Sequence, residues 1–462
     1  MTASIAAGHP ATTAAGAEIL REGGSAADAA VAASLASCVA ETVMTGLLGG
    51  GHAIHYDARS GEILNLDCFV AIPGLGAQTR DVQLVELEVP FGTELVHYAI
   101  GPASCGVPGV PAGLGELWQR YGRLGWARLV EPALALARSG VEMPPAHAAC
   151  LAMLAAVMTM DGGERIYSPG GRLLETGDRL NQPGIVRALE LLADEGPESM
   201  YRGSLADALL ALMDDRGGLV TRRDLETYRA LWREPVEVDY AGTRFFTRGG
   251  LSAVPETLPR LPRLRGLDHT ERAVALADAL AQPVDSDGHT TNVTVVDADG
   301  NACVVTTSLG LGSGDFVPGL DLHLNSMLGE ADLIRAGLGV GDRMGSMMAP
   351  SVALDRDGTL VLAGGAAGGT RLRTALVQVI SAVLDEGLTP EEAIERPRLH
   401  PAAGRVQLEP GFAEQTVDAL AAAGYEPRVW PARHHFFGGV SVVTPSGAAG
   451  DPRRSGAAAT VP

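Results

Sequence analysis

The segment TTNVTVVDADGNACVVTTSLG, beginning at Thr290, constrains the fold more than any other stretch of the chain. Apolar and polar residues alternate on both sides of an Asp-Gly turn, a period that predicts a β-hairpin. The elements around it are of mixed kinds. Residues 11–40 read as two helices broken at REGGSAAD, with Gly23 and Gly24 at a helix end and Ser25 an N-cap three residues before Asp28. AIHYDARSGEILNLD follows a Gly-rich turn and reads as a second hairpin with Ser60-Gly61 at its tip. The stretch 111–228 is Leu/Ala-rich at helical spacing and predicts a helical layer. ETLPRLPRLRGLDH, near residues 256–269, predicts a loop. After a Gly-dense zone at 310–319 come two strands, SVALDRDG and TLVLAGG, and a helix starting near Thr370. Interleaved helices and antiparallel strands without a repeat predict an α+β fold, a layered α/β/β/α domain and not a doubly wound sheet.

Composition narrows the functions. With 46% hydrophobic residues among 462, the chain can bury a sizeable core. A formal charge of −20 argues against a nucleic-acid partner. Lysine is absent, which removes the P-loop, Schiff-base lysines and Ser–Lys dyads. Five scattered cysteines without a CxxC pair indicate neither a disulfide framework nor a structural zinc site. No secretory signal or membrane-length apolar run is visible, so a soluble cytoplasmic protein is the expectation.

Familiar active-site patterns are missing. Ser313 lies between glycines but not in a GxSxG elbow. His52 and His55, three apart on a strand, point to opposite faces, and adjacent His434 and His435 also face apart if extended. The glycine runs near Gly49 and Gly364 match no phosphate loop, so neither a metal nor a cofactor is expected. What remains is a Thr-rich strand entered from the acidic loop DSDGH. A lone Thr hydroxyl is a weak nucleophile that needs a base. If the chain splits between His289 and Thr290, the freed α-amine, with an ordinary pKa near ~8, becomes that base. Gly288 gives the backbone freedom for the N-to-O acyl shift this requires.

The order of several motifs resembles the γ-glutamyltranspeptidase family of N-terminal-nucleophile hydrolases. They are HPATTAAGAEILREGGSAADAAVAA, TGLLGGGHAIHYDARSGE, GVPGVPAGL and GGLVTRRDLETYRALWREPVEVDYAG in the first half. HTTNVTVVDADGNACVVTT, LNSM, RMGSMMAPSV, AGGAAGGTR and GDPRRSGAAA follow in the second. The resemblance implies a four-layer αββα sandwich and self-cleavage before Thr290, giving a large fragment 1–289 and a small fragment 290–462 that stay together as a heterodimer, with higher assembly open. It implies Thr290 as nucleophile, Ser308 as its hydroxyl neighbour, and Gly368 and Gly369 as the oxyanion hole. It also implies Asn325 and Ser346 as parts of the substrate pocket.

The departures concern that pocket. Phe69 stands where the family has an arginine that clamps the substrate carboxylate, and no arginine is nearby in the sequence. Met347 replaces a serine, Gly310 an asparagine, and Glu330 is at best a shifted counterpart of an acidic residue. Loss of a bidentate Arg–carboxylate contact costs a γ-glutamyl substrate on the order of 1.5–3 kcal/mol. Between Gly250 and Asp285 the chain is also shorter than typical members. These residues therefore predict a hydrolase or acyltransferase acting on an amide or related acyl bond of a small metabolite, through an altered pocket. One alternative is a carbon–carbon bond hydrolase of the kind the family is thought to use on alkylproline-type precursors in antibiotic pathways. Another is a non-catalytic binding scaffold, against which the intact Thr290, Ser308 and Gly368-Gly369 count.

Overall fold

The computed structural model describes residues 2–77, 83–91, 94–281, 290–330, 333, 336–369 and 371–462. The first part of the chain contributes strands β1 (Ala3–Ala7), β2 (Gly50–Tyr56), β3 (Ile63–Cys68), β4 (Leu231–Arg233), β5 (Val236–Tyr240) and β6 (Thr243–Thr247). From Thr290 onward come β7 (Thr291–Val296), β8 (Ala302–Ser308), β9 (Ser351–Leu354), β10 (Leu360–Ala367), β11 (Gly439–Thr444), β12 (Gly447–Gly450) and β13 (Ala457–Val461). They form two antiparallel sheets, ordered β13-β1-β7-β8-β2-β3-β4 and β12-β11-β10-β9-β6-β5. Strands from either side of residue 290 are intermixed within the first sheet, so the two regions are interleaved and not separate lobes.

Helices α1 (Pro10–Arg21), α2 (Ala26–Ala40), α3 (Trp126–Ser139) and α4 (Pro183–Glu195) build the layer over the first sheet. Helices α5 (His269–Leu280), α6 (Arg371–Leu384) and α7 (Glu414–Ala422) build the layer over the second. Between the sheets a third core joins Ile54, Val304 and Ala302 to Val352, Ala363 and Val443. The result is the expected α+β sandwich of four layers. Among the described residues no helix is long and apolar enough to cross a membrane.

The central hairpin and α2 set the frame. All fifteen residues of α2 are buried, as a sequence dominated by Ala, Val and Leu on every side favours. Its start is fixed by the predicted capping box: Ser25 Oγ accepts from Asp28 N, and the Asp28 carboxylate accepts from Ser25 N. At the tip of the β7–β8 hairpin, the Asp297 carboxylate accepts from Asp299 N and Asn301 N within the turn and from Ala26 N at the start of α2. A helix of fifteen residues and a strand of seven both span about 22 Å. With one end of α2 tied to the hairpin tip, its other end therefore reaches the level of Thr291.

Two local expectations change. ETLPRLPRLRGLDH opens on a short helix, Val254–Thr257, and a 3-10 turn, Leu258–Arg260, before running as a loop. His434 and His435 do not face apart. His434 caps a 3-10 turn that begins at His435, which brings the rings to 4.0 Å between centroids, because a tight turn lacks the alternation of an extended strand. The cleavage-loop residues Gly288 and His289 lie outside the described residues.

Candidate active site

Strand parity decides where Thr290 looks. On β7, Val293 and Val295 pack under the helices, and Thr291 donates its hydroxyl to the Glu41 carboxylate just beyond α2. The alternate residues face the second sheet. Thr294 Oγ donates to Ser441 O at 3.0 Å, and Asn292 Oδ1 accepts from Thr306 Oγ at 2.7 Å. Thr290 shares that parity. Thr291 pairs with Thr307, so the next pair outward is Thr290 and Ser308. Opposite them on β10, a Cβ at Gly365 would fall 2.2 Å from Asn292 Oδ1, so the sheets approach this closely only because residue 365 has no side chain.

β10 ends at Ala367 and the chain turns through Gly368 (φ 140°) and Gly369 (φ 57°) into α6. Both angles lie where glycine is favoured, and a Cβ on Gly368 would meet Gly438 Cα at 2.9 Å. The glycine pair thus ends up between the strand that follows Thr290 and the start of a long helix.

Of the ten positions singled out through the resemblance, seven line one cavity: Phe69, Thr290, Ser308, Glu330, Ser346, Met347 and Gly369. Met327, Leu333, Met348 and Leu372 complete it, so most of its wall is apolar. Gly368 is not among its lining residues. Asn325 is not either: it is fully buried, donates to Leu48 O and Gly106 O at 2.8 and 2.9 Å, and accepts from Gly106 N at 2.9 Å. It ties the loop bearing Met327 to the first half of the chain. Ser308 Oγ accepts from Gly310 N at 2.9 Å. A side chain at Gly310 (φ 68°) would begin 2.3 Å from Glu330 Oε1, so the Glu330 carboxylate fills the space that glycine leaves. Two departures seen separately in the sequence are therefore one rearrangement in space.

The expectation that no arginine is near Phe69 is corrected. Among the described residues no arginine lines the cavity, but Arg343 Nη1 donates to Phe69 O at 3.1 Å and Arg248 Nη1 donates to Ser346 O at 2.6 Å. Each arrives from a distant stretch of chain, which is why sequence adjacency missed them. His52 stacks on Phe69 with centroids 5.6 Å apart, and its pKa is pushed down to about 3 chiefly by burial, so it is neutral. Arg248 is held below its ordinary value by burial, against the pull of Asp67.

A second cavity also touches Thr290, and the sequence assigned no role to the ionisable side chains that line it: Glu41, His147, Asp451 and Arg454. Burial raises the Glu41 carboxyl to about 7, against the opposing hydrogen bonds from Thr12 and Thr291. The available signals were an acid directly after a largely apolar helix and the second arginine of GDPRRSG. Among the described residues no group of three or more His, Cys, Asp or Glu side chains is placed to hold a metal.

Comparisons with known proteins agree with one another. The family model described as Gamma-glutamyltranspeptidase matches residues 12–282 and 267–461. The chain is 30% identical to the Acylase ACY 1 proenzyme of Pseudomonas sp. (strain V22), over 92% of this chain and 88% of that protein. It is 26% identical to the Glutathione hydrolase proenzyme of Escherichia coli (strain K12), over 88% and 83%. The solved cephalosporin acylase from Bacillus halodurans superposes with a TM-score of 0.82 at 24% identity, covering 99% of this chain and 95% of that one.

Proposed function

The chain belongs to the gamma-glutamyltranspeptidase family, and on that premise we propose that it is a Thr290 acylase for amides whose acyl group is more apolar than γ-glutamyl. That it is a hydrolase or acylase of this family follows from its relatives. The lining of one cavity by Thr290, Ser308 and Gly369 together with Phe69, Ser346 and Met347 is the observation that carries the finer reading. The name acylase of its 30%-identical relative supports it too.

In this mechanism the His289–Thr290 peptide bond breaks and leaves Thr290 with a free amine. That amine takes the proton of Oγ as Oγ attacks the acyl carbon. The oxyanion is met by the backbone N–H groups of the Gly368-Gly369 turn, with the positive end of α6 adding to them. The amine returns its proton to the leaving amine, and water resolves the acyl-enzyme. Ser308, opposite Thr290, orients its hydroxyl. The fragments 1–289 and 290–462 remain a heterodimer.

The test is a panel of anilides. γ-Glutamyl anilide is compared with aliphatic, aromatic and glutaryl anilides, and a ketone substrate is included for the carbon–carbon alternative. Faster release from an apolar acyl donor is expected, and Thr290→Ala should abolish it. A strong preference for γ-glutamyl anilide overturns the pocket reading, and turnover of the ketone alone favours the carbon–carbon chemistry.

A further inference from the structure

The second cavity beside Thr290 has a volume of about 20 Å³, room for one water molecule. Two buried side chains of opposite charge line it. Glu41 accepts from Thr12 Oγ at 2.7 Å through one oxygen and from Thr291 Oγ through the other. Gly8 makes room for this carboxylate, because a Cβ there would sit 2.4 Å from Glu41 Oε2. Arg454 is 4% exposed, its Nη1 reaches Met44 Sδ at 3.5 Å, and its Nε and Nη2 have no hydrogen-bond partner among the described residues. Nη2 also lies 3.4 Å from where a Cβ on Gly368 would stand.

Most of the other ionisable groups around them are matched or uncharged. Asp451 is ion-paired with Arg398 and Arg453. His147 on the helix packed beside the cavity is pushed down to about 3 by burial, and its neighbour His9 down to about 4. Burial pushes Cys38 up to about 12 and Cys150 up to about 11, so both remain thiols. Arg371 adds a second cation beside Arg454.

We propose that Glu41 and Arg454 are positioning residues that set the charge of the freed Thr290 amine, acting across the small cavity they share with it and, for Glu41, through Thr291. The inference rests on Thr290 being the nucleophile. A carboxylate nearby favours the ammonium form, and a guanidinium favours the neutral amine that takes the hydroxyl proton. Burial brings the Glu41 carboxyl to about 7, within the range where an α-amine titrates, so the two lose protons as a coupled pair.

The experiment measures the pH dependence of Thr290 amine carbamylation by cyanate in the cleaved enzyme, beside the acid limb of kcat/KM. Glu41→Gln removes the negative charge, so the midpoint should fall by about 0.5 pH unit or more. Arg454→Met removes the positive charge and should move it the opposite way. Midpoints that stay put in both variants, or move in the same direction, overturn the proposal. If either variant fails to fold or cleave, Thr291→Val keeps the charge but takes a donor from Glu41. Its lower midpoint should then rise, and an unmoved one overturns the proposal equally. Thr290→Ala separates the two readings. Turnover surviving in it removes the nucleophile itself, whereas its loss alongside unmoved midpoints removes only the role of Glu41 and Arg454.

Discussion

At the scale of single residues the site is governed by what is missing from a side chain as much as by what is present. Gly368 combines a φ of 140° with a 2.9 Å approach to Gly438. Gly368→Ala must shift the turn that aims the backbone donors, so kcat should fall by about 10²-fold or more while the protein stays folded. Stopped assays at saturating substrate check this, and an unchanged kcat would place the oxyanion elsewhere. Met347 tests the acyl pocket. Met347→Ser exchanges apolar wall for a hydroxyl and should lower kcat/KM for an apolar acyl donor by about tenfold, the scale of one to two lost methylenes. Thr290, Ser308 and the glycine pair were legible in the sequence through their motifs. Glu41 and Arg454 were not, because 413 positions of chain separate them and only folding makes them neighbours.

At the scale of elements, the β7–β8 hairpin and α2 act as one unit fastened at both ends. Asp297 holds the hairpin tip to Ala26, and Thr291 holds the strand's beginning to Glu41. Asp297→Ala unfastens the remote end and leaves several backbone N–H groups without a charged acceptor. Stability should drop on the order of 2–4 kcal/mol by denaturant titration, with KM little changed. A KM that rises as far as stability falls would mean that the tip reaches the pocket directly. Both hairpins, the helix pair and the capping box could be read from period and turn chemistry, which are local. The tilt of the His434–His435 pair could not, since a 3-10 turn there answers to the packing of Phe436 and Phe437 against Trp430.

At the scale of the whole molecule, the interleaving of strands governs what cleavage does. β1 lies between β13 and β7, and β2 pairs with β8, so fragments 1–289 and 290–462 would share one continuous sheet. They should co-elute on native size exclusion and separate only in denaturant. Fragments that part in native buffer would contradict the shared sheet. Acid response is also a property of the whole. Burial depresses seven of the described histidines: His9 to about 4, His52, His55, His147, His323 and His400 to about 3, and His434 below its ordinary value. Each has a folded pKa below its ordinary value of 6.5, so the unfolded chain binds more protons below that value. Their contribution is present above pH 6.5 and lost as pH falls from there towards about 3. The melting temperature should therefore decline steadily below about pH 6.5, and a flat profile down to about pH 4.5 would contradict the buried neutral state.

The sequence by itself determined the strand and helix periods, the order of motifs and the identity of the residue expected to act, because each is a property of neighbours along the chain. Only the tertiary structure decided what surrounds that residue. Arg248 and Arg343 reach the rim beside Phe69, Glu330 fills the room left by Gly310, and a buried acid and base close on a water-sized space behind Thr290. Contacts of this kind depend on how two sheets and two helical layers stack, and burial alone turns them into shifted charges.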